Sequence, residues 1–228
     1  MADNRIFQTQ DGSHSIVSGR FGASYHSRYG AVQESRHVFI QAGLYPLMLV
    51  KDELDILEIG FGSGLNALLS MWESIRRQFP VRYTAMEAFP VSQAEVQQLN
   101  FHEWLADFTT AKSAFLAMHE APWDTWSDLY PTFRFKKVLE KFEELDAPQC
   151  FDLIYFDPFS PETQPELWTG EVLARMYAAL RPGGVLVTYC AKGVVKRRLK
   201  ALGFTVEALK GPPGKREMTR ASKPAAVE

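Results

Sequence analysis

Glu58-Ile59-Gly60-Phe61-Gly62-Ser63-Gly64 closes the apolar run Asp55-Ile56-Leu57-Glu58-Ile59 and opens onto Leu65, Leu68, Leu69, Trp72, Ile75 and Phe79, which recur at helical spacing. An apolar run halted by glycines reads as a buried parallel strand, and the periodic stretch as an amphipathic helix ended near Pro80. Strand, glycine turn and helix together make a ligand cradle. Glycine lets the backbone approach a bound group, and the helix start offers free N–H groups. The dinucleotide spacing G-x-G-x-x-G requires glycine at position 65, where this chain has Leu65; its third glycine comes one place early, at Gly64.

The loop is E-x-G-x-G-x-G, with an acid inside the strand. Such an acid is badly placed beside a pyrophosphate and well placed near a cationic, amino-acid-bearing ligand such as S-adenosylmethionine. Glu87 adds to that reading. It ends a second strand over Val81–Met86, where a carboxylate can accept both hydroxyls of a ribose. A solvated strand end is the plainer account of Glu87, and nicotinamide binding stays open as a more distant alternative for the loop. The chain has neither a Walker lysine motif nor a G-x-S-x-G elbow, which disfavours phosphate-loop NTPase and serine-hydrolase chemistry.

Outward from the loop, strands alternate with helices. Val91 to Asn100 reads as a helix, 101–132 as an insertion of uncertain helical content, and Phe133–Val138 as a strand. Phe151–Phe156 is a strand, followed by a proline-rich loop to Trp168 and a helix over Glu171–Leu180. Arg181-Pro182-Gly183-Gly184 stops that helix. Val185–Tyr189 is a strand, Val194–Leu202 a helix, Phe204–Leu209 a strand, and Glu217–Arg220 a short final strand. The alternation predicts an α/β, doubly wound sheet. Residues 1–49, rich in turn signals, form an N-terminal extension ending in a helix around Val38–Leu49. Residues 50–220 form the main domain, and 221–228 a frayed tail.

The bulk properties narrow the function class. With 228 residues, 46% of them hydrophobic, the chain can bury one substantial core. Two distant cysteines and scattered histidines give no disulfide framework and no metal-ligand spacing, and the N-terminus lacks a secretory pattern. A reducing, cytoplasmic setting without metal is the expectation, as is no membrane attachment, since no apolar run is long enough to span. The net charge of -2 excludes a uniformly basic surface. Basic residues nevertheless crowd Arg181 to Lys223, where only Glu207 and Glu217 are acidic. Such a region can attract a polyanion or serve simply as solvated surface.

Asp157-Pro158-Phe159-Ser160-Pro161 leaves the C-terminal end of a strand, where open α/β sheets place their chemistry. An acid on a proline-stiffened, aromatic-bearing turn suits methyl transfer to an amine. A free alkylamine has a pKa of roughly 10 and is mostly protonated at neutral pH. The site must therefore bind the ammonium, take its proton, and align the lone pair. Asp157 and Phe159 are the candidates, Phe159 covering the reacting face. The alternative is that the prolines only shape a loop.

Together these segments resemble the methyltransferase domain of the MnmC family, tRNA wobble-uridine modification enzymes, and its stand-alone relatives. The resemblance rests on Gly30 through Phe39, on Glu58 through Asn66, and on Asp157 through Pro161 with Pro165-Glu166-Leu167-Trp168. It continues through Arg181 to Gly184 and Gly214 through Met218, in family order along nearly the whole chain. It implies a Rossmann-like sheet of about seven strands, the last antiparallel. It also implies S-adenosylmethionine-dependent methylation of the exocyclic amine of 5-aminomethyl-(2-thio)uridine in tRNA.

On that resemblance Glu58, Gly60, Gly62, Gly64, Asn66 and Glu87 hold the cofactor, with Glu34 and Tyr25 closing over it. Lys196, Arg197, Arg198, Lys200, Lys215 and Arg216 meet tRNA phosphates. The FAD-dependent oxidoreductase domain of bifunctional relatives is not expected in this chain, which leaves open whether a separate oxidoreductase or modification partner supplies the amine. Two departures stand out. The usual Gly-Asp pair after the third strand is replaced by Phe135-Lys136-Lys137-Val138-Leu139-Glu140, with Glu140 as the nearest acid, and Pro158 stands where relatives often carry Gly or Ala. A small-molecule amine methyl- or aminopropyltransferase and a non-catalytic cofactor- or tRNA-binding module remain as rival readings.

Overall fold

The computed structural model describes residues 3–140, 142 and 145–225. Among them an eight-stranded sheet carries the fold, in the order β5-β6-β4-β3-β7-β8-β10-β9. Its strands are β3 (Leu54–Ile59), β4 (Val81–Met86), β5 (Ser127–Tyr130), β6 (Phe133–Val138), β7 (Phe151–Phe156), β8 (Leu180–Thr188), β9 (Thr205–Lys210) and β10 (Glu217–Ser222). β3 lies at the centre, parallel to both β4 and β7, and β7 is fully buried, as expected for strands covered on both faces. β10 runs antiparallel between β8 and β9, in agreement with the expected antiparallel last strand. The eighth strand is β5, an edge strand inside the insertion, antiparallel to β6.

Helices cover both faces. α3 (Leu65–Arg77) and α5 (Ala111–Glu120) pack on one face, where Leu68, Phe39 and Phe115 are almost completely buried. α6 (Gly170–Ala179) and α7 (Gly193–Ala201) pack on the other through Met176, Leu173 and Leu199. The insertion is well built into the first layer. Phe101, Leu105, Phe108 and Phe115 all belong to that core.

The N-terminal extension forms a hairpin, β1 (Arg5–Gln8) with β2 (His14–Val17), and then a helix that starts well before Val38. It begins as α1 (Ala31–Ser35), widens into a π-helical stretch over Arg36–Leu44, and ends as α2 (Tyr45–Met48). Its early start has a tertiary cause. Ser13 Oγ accepts the N–H groups of Ala31 and Val32, at 3.1 and 3.3 Å, and Asp11 Oδ2 accepts that of Gln33 at 3.1 Å. The donors a helix start leaves orphaned are thus satisfied by the hairpin loop rather than by a local cap.

Three further expectations are corrected. The helix over Val91–Asn100 shrinks to α4 (Gln93–Val96), started by a Ser92–Glu95 capping box. Asn100 then leaves helical geometry to bond the hairpin, accepting His14 N–H at 2.8 Å and donating to the Gly12 carbonyl at 3.1 Å. β8 already starts at Leu180, so Arg181 to Gly184 form an irregular strand entry where the pairing with β7 shifts register. The tail does not begin at Ala221, which is fully buried in β10 opposite Leu186 and Val206. Of that tail, 226–228 lie outside the described residues. No helix among the described residues is long and apolar enough to cross a membrane.

Candidate active site

The C-terminal ends of β3, β4 and β7 converge on a cavity of about 340 Å³, within the range of small-ligand pockets. The glycine loop forms one wall. Gly60 and Phe61 N–H both donate to the Met86 carbonyl, at 3.1 and 3.0 Å, which ties the loop to the end of β4. Gly62, with φ of 52°, leaves room for Tyr25, whose ring would lie 2.9 Å from an added Cβ. Gly64 caps α3 at φ of 77°, and a Cβ there would meet His119 Nε2 at 2.6 Å. It shapes the turn from outside the cavity lining.

Glu87 faces the cavity from the end of β4. Its Oε2 accepts Gly62 N–H at 2.8 Å and its Oε1 accepts Phe89 N–H at 2.7 Å. Each oxygen keeps a lone pair for another donor. Burial raises this carboxyl, and the backbone donors of Phe89, Gly62 and Ala88 counter it.

Glu58 behaves otherwise. It is completely buried beneath the loop, does not line the cavity, and neither carboxylate oxygen has a hydrogen-bond partner among the described residues. Burial and the nearby charges of Asp157 and Glu87 hold it well above the usual carboxylate range, which Asn66 and Tyr83 offset only in part. It lies one layer below the cradle, outside the cavity lining.

Asp157 stands at the end of β7 on the opposite wall. Asn66 Nδ2 donates to its Oδ2 at 2.9 Å, while Asn66 Oδ1 is buried without a partner among the described residues. Desolvation and the Glu34 charge push Asp157 well above its ordinary range, and Asn66 and Lys215 pull it back. The turn that carries it is fixed at successive points. Tyr189 hydroxyl donates to the Pro158 carbonyl at 2.9 Å, and Trp168 Nε1 donates to the Phe159 carbonyl at 2.8 Å. Phe159 N–H donates to Gln164 Oε1 at 3.0 Å. Trp168, fully buried against Phe156, is therefore the clamp that gives Pro165-Glu166-Leu167-Trp168 its purpose.

The N-terminal extension completes the enclosure. The ring of Phe159 packs against Phe21 and Tyr25, at centroid distances of 5.0 and 5.1 Å. Glu34, on α1, accepts Ser27 N–H at 2.8 Å and receives Lys215 Nζ at 2.5 Å. Sequence reasoning missed His26, Phe89, Phe142 and Tyr189 as lining residues. His26 is held neutral by burial, its value drawn down to about 4. Its role carries no motif, whereas Tyr189 could have been found from its place at a strand end. Glu140, the acid nearest to the missing pair, is exposed and lies outside the lining; Phe142 and Phe89 supply apolar walls instead.

The six basic residues differ in their surroundings. Lys215 lies in the cavity wall. Lys196 pairs with Glu217 at 2.7 Å, and Arg198 Nη1 donates to the Trp168 carbonyl at 2.6 Å. Arg197, Lys200 and Arg216 are exposed.

A glycine cradle, a ribose-competent acid and an enclosed carboxyl facing it at the strand ends define a class I methyltransferase arrangement. A family model described as S-adenosyl-L-methionine-dependent methyltransferase matches residues 100–224, and the chain belongs to that family. It is 31% identical to the tRNA 5-methylaminomethyl-2-thiouridine biosynthesis bifunctional protein MnmC of Ectopseudomonas mendocina, over 89% of this chain and 32% of that protein. The MnmC of Aromatoleum aromaticum is 33% identical, over 95% of this chain and 35% of that protein. The chain thus spans about a third of the length of these curated relatives. The crystal structure of MNMC2 from Aquifex aeolicus is similar over 100% of this chain and 72% of that one, with a TM-score of 0.74 and 25% identity. Spermidine synthase from Thermotoga maritima, at 14% identity and a TM-score of 0.54, shares the fold.

Proposed function

We propose that this chain methylates the exocyclic amine of 5-aminomethyl-(2-thio)uridine at the tRNA wobble position, giving the methylaminomethyl form. The observation that carries the reading is Asp157. It is a carboxyl of raised basicity at a strand end, oriented by Asn66 and walled by Phe159, in a chain whose MnmC relatives are named for that modified base.

The residues present fit S-adenosylmethionine. The spare lone pairs of Glu87 are acceptors for its donors, and Phe89 and Phe142 offer apolar cover for a base. Gly60, Gly62, Asn66 and Glu87 would hold it, with Tyr25 and Glu34 closing from the extension. When bound, that group supplies an electrophilic methyl. The chain's own residues do the rest. Asp157 takes a proton from the incoming ammonium, leaving the amine lone pair free. Phe159, Phe21 and Tyr25 exclude water, which favours the neutral amine over the ammonium. Exposed Arg197, Lys200 and Arg216 would meet RNA phosphates outside the pocket. An oxidoreductase or modification activity would supply the aminomethyl group in a cytoplasmic setting.

The test uses tRNA from cells lacking the modification, incubated with protein and S-adenosylmethionine, and its nucleosides analysed by mass spectrometry. The expected result is one added methyl group on aminomethyl-uridine. Methylation of free polyamines with none on tRNA would replace this substrate with a small amine.

A further inference from the structure

Three segments remote in sequence meet at one corner of the cavity. Glu34 comes from α1, Tyr189 from the end of β8, and Lys215 from the turn between β9 and β10. Lys215 Nζ donates to Glu34 Oε1 at 2.5 Å and stands 4.0 Å from the centroid of the Tyr189 ring. Asp157 opens on the same cavity, and the charges of both Glu34 and Lys215 act on it. A buried carboxylate, an aromatic face and a second carboxyl are what hold a primary alkylammonium. The first gives a charge-assisted hydrogen bond, and the ring attracts the cation through its quadrupole. The side chain now in that corner is itself a primary alkylammonium. Asn66, 3% exposed and lining the same cavity, adds an Oδ1 acceptor with no donor among the described residues.

We propose that Lys215 is an internal surrogate for the substrate: the corner formed by Glu34 and Tyr189 is the subsite for the acceptor's ammonium, and Lys215 leaves it when that ammonium enters. The inference rests on the reading of the substrate as a primary amine. It reassigns Lys215 from the phosphate-binding surface to a specificity role. Glu34 is never left bare in a low-dielectric pocket, where an unpaired charge is costly. Only a ligand carrying its own ammonium can take the lysine's place without that cost. A neutral amide or hydroxyl at the same position of the base would leave Glu34 unpaired and be rejected. Displaced, Lys215 joins exposed Arg216 on the outer side of the turn, where an RNA phosphate can receive it.

The test is chemical rescue with methylammonium chloride, read by thermal unfolding of Lys215→Ala and compared with sodium chloride at equal ionic strength. The truncated protein should gain a rise in melting temperature of about 2–4 °C that grows with the logarithm of methylammonium concentration once the corner is filled. Wild-type protein should show none, because its tethered ammonium competes at a roughly millimolar or higher effective concentration. The double variant Lys215→Ala with Glu34→Gln should also show none. Lys215→Ser carries the same measurement if Lys215→Ala does not fold. No such rise in the single variant, or an equal rise in the double variant, overturns the proposal. A rise without methyl transfer to tRNA would leave the ammonium subsite standing and remove the functional reading. Methyl transfer without the rise would do the reverse.

Discussion

Asp157 and Glu58 are two carboxyls raised by burial, and the difference between them is access. Asp157 reaches the cavity and has a hydrogen-bond donor in Asn66; Glu58 reaches neither solvent nor ligand. Only the ionised form of Asp157 can take a proton from an ammonium. Activity should therefore fall as pH drops through a value well above the ordinary aspartate pKa of about 3.9. The acid limb of kcat/KM against pH reads it directly, and an acid limb at the ordinary value would argue against Asp157 as the acceptor. Asp157→Asn should lower kcat by about 10²–10⁴ while cofactor affinity, measured by calorimetry, changes little. A variant that keeps full activity would remove Asp157 from the chemistry. Asp157, Glu87 and the glycine loop were legible because each stands at the end of an apolar strand, a position that sequence marks. Glu58, expected at the cofactor, lies fully buried outside the cavity lining, because spacing places a residue along a strand without saying how deep its side chain lies. Lys215, expected among the phosphate-facing residues, lines the cavity beside Glu34, which lies on a segment no local pattern connects to it.

At the scale of elements, the helix beginning at Ala31 depends on a hairpin that precedes it. Ser13→Ala removes the acceptor for two of its first N–H groups. The expected cost is about 1 kcal/mol, or a melting temperature lower by about 2–4 °C, read by calorimetry. No change would mean that water satisfies those donors equally well. This element also shows where sequence reading stops. β3 and β7 were legible as short apolar runs bounded by glycine or proline, and α3 from its period. The start of α1 was not, because its caps, Asp11 and Ser13, come from another element. The shortened α4 has the same origin, since Asn100 is recruited by Gly12 and His14. Where an element's ends are set by its own residues the sequence shows them; where a neighbour sets them it does not.

Across the whole molecule, charge is sorted by role. Asp55, Asp152, Arg82, Arg181 and Lys51 form a paired network away from the cavity, at the opposite ends of the central strands. The exposed cations Arg197, Lys200 and Arg216 are separate from it. Replacing those three by alanine should weaken tRNA binding and flatten its dependence on the logarithm of salt concentration, by roughly one unit of slope for each phosphate no longer neutralised. Titrations at several ionic strengths measure this, and an unchanged slope would place the RNA on another face.

The order of β8, β10 and β9 sets when the pocket can exist. Among the described residues β9 meets the sheet only through β10, the last strand they contain, and Lys215 precedes that strand by two residues. A nascent chain on the ribosome therefore holds the glycine loop and Asp157 long before it holds a closed acceptor site. Until Ser222 clears the exit tunnel, Glu34 waits without its lysine and β9 without a neighbour.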